Sequence, residues 1–204
     1  MTEGAKMRLD ELLVERGLAA DLKEAQALLM GGAVKGIDTK LAHAGALISR
    51  DAHLDVQRRS EWASRGALKL LGAFDVFDSL AGRVDGASCI DVGAAHGGFT
   101  DVLLRYGAER VAAVDVGYGQ LVWRLRQDPR VLVLERTNFK LLGEGVVPWK
   151  SDVITCDASF IGLRRLLPVI VRELRPDGIF VGLVKPQFEL ARDDVPAGGV
   201  VRDD

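Results

Sequence analysis

The sequence has few of the features that mark secreted or membrane proteins. Its 204 residues include only two cysteines, too few for a disulfide framework. It contains no run of 18 apolar residues, which excludes a membrane-spanning helix. The polar residues 1–6 do not resemble a secretory signal segment, and no repeat or low-complexity tract follows. We therefore expect a globular protein of the cytoplasm.

The sequence also lacks an excess of positive charge. Its 27 lysines and arginines stand against 29 acidic residues, which gives a formal net charge of −2. This balance excludes the overall basic field that attracts nucleic acids non-specifically. An RNA partner would therefore have to be bound by local basic patches. Hydrophobic residues make up 48% of the chain, enough to fill one large core or two modest ones.

From Ser88 onward, strand-like and helix-like segments alternate along the chain. Continuous apolar strands with helical crossovers are typical of an α/β fold with a parallel, doubly wound, Rossmann-like sheet. A turn at Pro176-Asp177-Gly178 is expected to precede the fifth strand. The predicted strands are residues 89–91, 111–115, 131–134, 153–156 and 179–184, and the predicted helices between them are residues 100–106, 120–127 and 163–174.

The first of these strands leads into a glycine-rich turn over residues 90–100, Ile-Asp-Val-Gly-Ala-Ala-His-Gly-Gly-Phe-Thr. Glycines allow the backbone to approach a ligand closely, and the free N–H groups of the following helix favour an anion. The spacing differs from the Gly-x-Gly-x-x-Gly pattern of dinucleotide-binding proteins. It resembles motif I of S-adenosylmethionine (SAM) methyltransferases, which implies that the turn binds the methionine part of SAM.

Charged residues follow other strands of the predicted sheet. Asp115 ends the second strand, where an acid can bind the ribose hydroxyls of a nucleoside cofactor. Asp157 follows the fourth strand and Lys185 the fifth, so both are expected near the transferred methyl group. With Lys69, on a predicted helix over 62–80, they suit methyl transfer to a ribose 2′-hydroxyl. The lysines can take the hydroxyl proton and orient the oxygen, while the aspartate positions them.

Two other methyl acceptors fit the sequence less well. Ala158-Ser159 stands where methyltransferases of exocyclic amines usually have two prolines. Cys156 is a candidate nucleophile for a cytosine carbon, but strand alternation aims it at the face opposite to that of Asp157. We therefore interpret Cys156 as a core residue.

The first 60 residues predict a small α+β domain. Leu9, Leu12 and Leu13 have helical spacing, and a second helix is expected from Asp21 to about residue 31, followed by short strands. This module resembles the RNA-binding domain first described in the small-subunit ribosomal protein S-four. The resemblance implies phosphate contacts by basic side chains. The candidates for these contacts are Arg8, Lys23, Lys35 and Lys40.

Nearly the whole chain resembles the TlyA/hemolysin A family, in which an S-four-type module precedes an FtsJ-like ribose methyltransferase. The matching blocks are residues 64–70, 91–101, 114–121, 128–131, 135–138 and 184–189. The resemblance implies two domains, 1–60 and 61–204, SAM as the cofactor, and 2′-O-methylation of ribosomal RNA, free or in ribosomal subunits. It assigns catalysis to Lys69, Asp157 and Lys185 and a further RNA contact to Arg65. It also implies cofactor contacts by Asp91, Gly93, Gly97, Gly98, Phe99, Thr100, Asp115, Val116 and Asn138.

The sequence departs from this family in its last part. A SAM methyltransferase sheet normally has seven strands, whereas the sequence predicts five here, so the sheet is expected to be shortened at its C-terminal end. The family's catalytic glutamate would lie beyond Asp204, since Glu189 belongs to another block. An RNA- or ribosome-binding relative with impaired catalysis therefore stays an alternative. An open sheet edge would favour self-association. A hemolysin acting on membranes is the least favoured reading, because the sequence has neither a spanning segment nor a basic amphipathic helix.

Overall fold

A computed structural model describes residues 5–36, 43–56, 61–191, 193, 195–196, 198–199 and 201. The chain divides into two compact units, Met1–Glu61 and Trp62–Asp204. Lys40 and residues 57–60 lie outside the described residues. The identity of the first unit as an RNA-binding domain stays a prediction.

The first unit is built from two helices and two short antiparallel strand pairs. Leucines of the first helix and apolar residues of the second share one buried core with the strands. Asp21 caps the second helix by accepting a hydrogen bond from the Glu24 N–H at 2.7 Å. The elements are β1 (Lys6–Arg8), α1 (Leu9–Glu15), α2 (Leu22–Met30), β2 (Val34–Lys35), β3 (Leu47–Ser49) and β4 (Asp55–Val56), with β1 paired to β3 and β2 to β4.

The second unit is a five-stranded sheet whose neighbouring strands are all parallel, in the order β7-β6-β5-β8-β9. The predicted α/β fold with a parallel sheet is confirmed. Its elements are α3 (Ala67–Val76), β5 (Ser88–Val92), α4 (Gly98–Arg105), β6 (Arg110–Val114), α5 (Trp123–Arg126), β7 (Val131–Leu134), β8 (Ser151–Cys156), α6 (Leu167–Glu173), β9 (Leu174–Gly182) and α7 (Pro186–Glu189).

Several boundaries differ from those expected, and α3 and α5 are shorter than the predicted helices over 62–80 and 120–127. The predicted helix over 163–174 is a short 3₁₀ turn, Leu163–Arg165, followed by α6. Pro168 lacks an N–H and is tolerated in the first helical turn, which favours a helix that begins at Leu167. The predicted turn at 176–178 lies within the range of β9, whose pairing with β8 shifts register between Ser151 and Val153.

Buried side chains cover both faces of the sheet, as its continuous apolar strands require. Cys89 packs on one face with residues of α3, α4 and α5. Ile90 and Cys156 pack on the other face with residues of α6. Successive strand residues thus enter different cores, and Cys156 is a core residue as expected.

The order of the strands places a crevice above β5. The chain runs from β5 outward to β6 and β7, then returns to β8 on the opposite side of β5. Ligands of doubly wound sheets bind beyond the carboxyl ends of the strands at such a switch point. Among the described residues, the sheet ends at β9, and self-association through that edge stays a prediction. No helix in the described part of the chain is long and apolar enough to cross a membrane.

Candidate active site

A cavity of about 330 Å³ opens at the carboxyl ends of β5, β6 and β8. Its size lies at the lower end of the range for small-molecule pockets. Residues from the loops after these three strands form its walls, and a fourth segment follows β7. The lining residues include Gly93 and Ala95, residues 115–117, residues 137–139 and residues 157–161.

The glycine-rich turn meets the loop after β8 at Gly93. This residue has a φ of +81°, a conformation in which side chains are strained. A Cβ at this position would lie 2.9 Å from the Ala158 Cα, so no side chain fits between the two loops. The absence of a side chain at Gly93 therefore allows the two walls of the cavity to touch.

Three predicted cofactor residues besides Gly93 line the cavity: Asp115, Val116 and Asn138. The carboxylate of Asp115 accepts hydrogen bonds from the Ala95 N–H at 2.9 Å and the Gly117 N–H at 2.6 Å. A carboxylate can accept about four hydrogen bonds, so Asp115 retains acceptor capacity for a ligand.

Asp91 does not line the cavity. Its side chain is 1% exposed and accepts hydrogen bonds from the Thr100 N–H at 2.9 Å and the Thr100 hydroxyl at 2.7 Å. The Thr155 hydroxyl lies 3.3 Å from its other oxygen. Burial raises the pKa of Asp91 to about 6, although these hydrogen bonds act in the opposite direction. Asp91 thus ties the first turn of α4 to the sheet.

The other predicted residues of this turn are buried around the start of α4 and do not line the cavity either. They are Gly97, Gly98, Phe99 and Thr100. A Cβ at Gly98 would lie 2.5 Å from the Ser64 Oγ and 2.8 Å from the Ala67 N. The first turns of α3 and α4 therefore touch at Gly98, which fixes the position of Lys69 on α3. A direct cofactor contact by these residues stays a prediction.

The structure brings the three predicted catalytic residues together. The Lys69 Nζ donates to one carboxylate oxygen of Asp157 at 2.7 Å. The Lys185 Nζ forms an ion pair with the other oxygen at 2.8 Å. Burial by itself raises the pKa of Asp157, but the two ammonium groups outweigh it and hold the pKa below its ordinary value. Asp157 is therefore a carboxylate that bridges two lysines.

The two lysines differ in how fully their ammonium groups are used. The Lys185 Nζ donates to the Asp157 carbonyl at 3.2 Å, the Ala158 carbonyl at 3.0 Å and the Ser159 hydroxyl at 2.9 Å. Its side chain is 19% exposed, whereas that of Lys69 is 48% exposed. An ammonium has three N–H donors, so Lys185 is saturated while Lys69 can accommodate another ligand.

Comparison with known proteins agrees with this geometry. The model of the FtsJ-like methyltransferase family matches residues 62–204. The 16S/23S rRNA (cytidine-2′-O)-methyltransferase TlyA of Mycobacterium tuberculosis is 45% identical over 200 residues, which cover 97% of this chain and 74% of that protein. Hemolysin A of Brachyspira hyodysenteriae is 38% identical over 199 residues, which cover 97% of this chain and 82% of that protein. This chain belongs to the TlyA/hemolysin A family of FtsJ-like methyltransferases.

A solved structure supports the same assignment. A hemolysin-like protein from Streptococcus thermophilus superposes with a TM-score of 0.67 at 38% identity. The match covers 97% of this chain and 72% of that chain. The second unit is therefore the methyltransferase domain, and the cavity above β5 is its candidate active site.

The described side chains that are predicted to bind RNA are exposed. The contacts described for them are with other residues of this chain and do not test RNA binding. Arg8 holds Asp10 through two hydrogen bonds, at 3.0 and 2.7 Å, and this contact lowers the pKa of Asp10 to about 2. The Lys35 Nζ donates to the Gly32 carbonyl at 3.3 Å. RNA binding by Arg8, Lys23, Lys35 and Arg65 stays a prediction.

The rest of the cavity wall could not be predicted from residue types. Apolar lining residues such as Leu166 are indistinguishable by type from core residues. Phe160 also lines the cavity, and it is 92% exposed with a φ of +66°. Glu189, excluded as the family's catalytic glutamate, accepts a hydrogen bond from the Leu163 N–H and thereby holds the loop after β8.

Proposed function

We propose that this chain transfers a methyl group from SAM to a ribose 2′-hydroxyl of ribosomal RNA. The observation that carries the proposal is the Lys69–Asp157–Lys185 cluster beside the cavity. The choice of ribosomal RNA rests on relatives that are named as rRNA methyltransferases. The same reasoning proposes ribosomal subunits as the form in which the RNA is met.

The cavity residues fit SAM. The Asp115 carboxylate, at the carboxyl end of β6, retains acceptors for the two ribose hydroxyls. Val116, Phe139 and Leu166 form an apolar wall suited to an adenine ring. Asp157 adds a negative charge at the opposite side of the cavity, which favours a sulfonium. When bound, SAM supplies an electrophilic methyl group on that sulfonium.

Lys69, Asp157 and Lys185 have different roles in activating the acceptor hydroxyl. The Lys69 Nζ would take the proton of the acceptor hydroxyl during the methyl transfer. Asp157 then stabilises the Lys69 ammonium through their 2.7 Å contact. Lys185 anchors the loop after β8 and adds positive charge near the oxygen. Because the transfer is an in-line displacement, most of the rate gain comes from this alignment.

A methyl transfer to a cytosine carbon fits the site poorly. That reaction needs a cysteine thiolate, and burial raises the pKa of Cys156 to about 11. The thiol packs in the apolar core beneath the sheet's crevice. A ribose hydroxyl activated by lysine is therefore the acceptor that we favour.

Calorimetric titration of SAM and transfer of a radiolabelled methyl group to ribosomal subunits test the proposal. We expect binding, and label recovered as a 2′-O-methylated nucleoside after digestion of the RNA. Lys69→Met should still bind SAM but transfer label at least about 100-fold more slowly. Lys150→Met is the matched control, since Lys150 precedes β8 at the amino edge of the sheet.

Three other outcomes would change the conclusion. Label on a base or on protein would overturn the ribose assignment. SAM and RNA binding without transfer would support the alternative of a catalytically impaired RNA-binding relative. A folded wild type that binds no SAM would refute the proposed cofactor.

A further inference from the structure

A second groove, of about 700 Å³, adjoins the candidate active site. It lies between the loop after β8 and the segment that contains α7. Phe160 and Ile161 line both this groove and the first cavity, so the two spaces adjoin at these residues. The other lining residues include Gly162, Arg165, Gln187 and Phe188.

The groove has an aromatic floor. The rings of Phe160 and Phe188 lie 5.5 Å apart between centroids and are tilted by 42°. Phe160 is held almost fully exposed, and its φ of +66° is strained for a bulky residue. Strained, exposed aromatic residues persist where they have a function, because neither burial nor backbone preference favours them.

The two walls of the groove are held together, which makes it a preformed site. A Cβ at Gly162 would lie 2.8 Å from the Phe188 carbonyl oxygen and 2.8 Å from the Glu189 Oε2. Glu189 also accepts the hydrogen bond from the Leu163 N–H. The loop after β8 and α7 are therefore in direct contact below the aromatic floor.

Arg165 lines the groove, and Arg164 precedes it in the chain. Arg164 and Arg165 lie on the 3₁₀ turn Leu163–Arg165, and both are exposed. The Arg164 Nε is 3.9 Å from the Glu189 Oε2, at the limit of an ion pair. Within the described ranges, Arg165 has no carboxylate partner within 4 Å. A guanidinium beside an aromatic floor, with no carboxylate partner among the described residues, is suited to a phosphate that is linked to a base.

Both walls of the groove continue directly from catalytic residues. Phe160 follows Asp157 by three residues, and Phe188 follows Lys185 by three residues. Three residues span at most about 10 Å, so the groove begins within that distance of the catalytic cluster. A ligand in the groove would therefore be a close neighbour of the methylated group.

We propose that this groove binds the nucleotide adjacent to the target ribose in a single-stranded RNA segment. The base stacks against Phe188, and Arg165, with Arg164 beside it, binds the phosphate. The inference rests on the proposed RNA substrate. It adds that this enzyme reads at least one unpaired neighbour of the target nucleotide, since a base within a duplex cannot reach an aromatic side chain in this way.

Steady-state kinetics with the full chain test whether the groove binds the neighbouring nucleotide. The substrates are short RNA fragments that the wild-type chain methylates. Each fragment carries either its normal base or an abasic nucleotide on one side of the target. We expect the abasic neighbour on one side to raise the RNA KM of wild type about tenfold. Phe188→Leu should raise the KM on intact RNA about as much and respond no further to the abasic nucleotide.

Arg165→Gln provides a second, independent readout. Loss of one phosphate contact to a single strand should lower the slope of log affinity against log salt concentration by about 0.7. The kcat at saturating RNA and the affinity for SAM should not change. Arg83→Gln is the matched control, because Arg83 is an exposed arginine in the turn before the amino end of β5.

The outcomes separate this inference from the proposed function. If wild type methylates RNA but Arg165→Gln keeps the wild-type salt slope and Phe188→Leu keeps the full abasic effect, the groove does not bind the neighbour. If wild type neither binds nor methylates RNA, the proposed function fails and this inference fails with it. Arg165→Gln decides alone if thermal melting shows that Phe188→Leu does not fold.

Discussion

The replacement of Asp91 distinguishes its predicted cofactor contact from the positioning role that the structure indicates. Asp91→Ala removes the acceptor for the Thr100 N–H and the Thr100 hydroxyl and leaves both donors buried. The Thr155 hydroxyl keeps a weaker acceptor, the Ile90 carbonyl at 3.5 Å. Asp91→Asn retains an oxygen for the Thr100 donors and adds an amide that can donate to Thr155.

The expected destabilisation follows from these contacts. Each buried donor left without a partner costs about 1–3 kcal/mol, so the two Thr100 donors together cost about 4 kcal/mol. At pH 4.5, where burial keeps Asp91 protonated, that loss lowers the melting temperature of Asp91→Ala by roughly 8–16 °C for a domain of this size. At the same pH, Asp91→Asn should cost no more than about 1 kcal/mol, because its hydrogen bonds are kept.

The two aspartate variants should also differ in their pH dependence. Burial raises the pKa of Asp91 to about 6, above the ordinary value of 3.8. Between pH 4 and 6 the unfolded chain loses this proton before the folded chain does, so stability falls as the pH rises through that window. Two pKa units correspond to about 3 kcal/mol. Asp91→Asn lacks this titrating proton. Its free energy of unfolding relative to that of wild type should therefore rise by about 3 kcal/mol from pH 4 to pH 7.

Urea and thermal denaturation followed by circular dichroism at pH 4.5 and 7.5, with SAM titrations alongside, measure these effects. Asp115→Ala is the comparison variant, since Asp115 lines the cavity and its loss should abolish SAM binding. The N–H donors of Ala95 and Gly117 that it leaves are only partly buried, so its melting temperature should fall less than that of Asp91→Ala. The positioning role would be refuted by an Asp91→Ala variant that melts like wild type but no longer binds SAM. That result would establish the direct contact that the motif predicts.

Further substitutions test other parts of the site. Lys69→Met and Lys185→Met should each lower kcat at least about 100-fold. Only Lys185→Met should also lower the melting temperature, because the Lys185 Nζ donates hydrogen bonds to two carbonyls of the loop after β8. Equal melting temperatures would contradict this difference. Gly93→Ala should abolish SAM binding in calorimetry, whereas Gly119→Ala, with φ +69° but no atom within 4 Å of its Cβ, should retain it. Lys69 and Lys185 depress the pKa of Asp157, so the ionised Asp157 should stabilise the fold at neutral pH and lose this effect as the pH falls below 3.8. Asp157→Asn should remove that part of the acid sensitivity, as measured by urea denaturation.

Much of the fold follows from local sequence. β7 (Val131–Leu134) occupies the predicted residues, and β5 (Ser88–Val92) contains the predicted ones, because short apolar runs that contain β-branched residues favour strands. The helices between the strands were predictable because their apolar residues recur at helical spacing. Less predictable were α5 (Trp123–Arg126), which is shorter than its helical spacing indicates, and the start of β9. Their ends depend on packing against distant strands, which local propensity does not report.

The sequence by itself determined the class of protein and the prediction that Asp157 and Lys185 lie close together, because strand-ending residues of a parallel sheet meet at one edge. Only the tertiary structure decided what each residue does there. It placed Lys69 against Asp157, 88 residues away, through the contact of α3 with α4 at Gly98. It also turned Asp91 away from the cavity that Asp115 lines, although both are acids near strand ends. The direction of a side chain at a strand end depends on the neighbouring helix and loop, and these come from elsewhere in the chain.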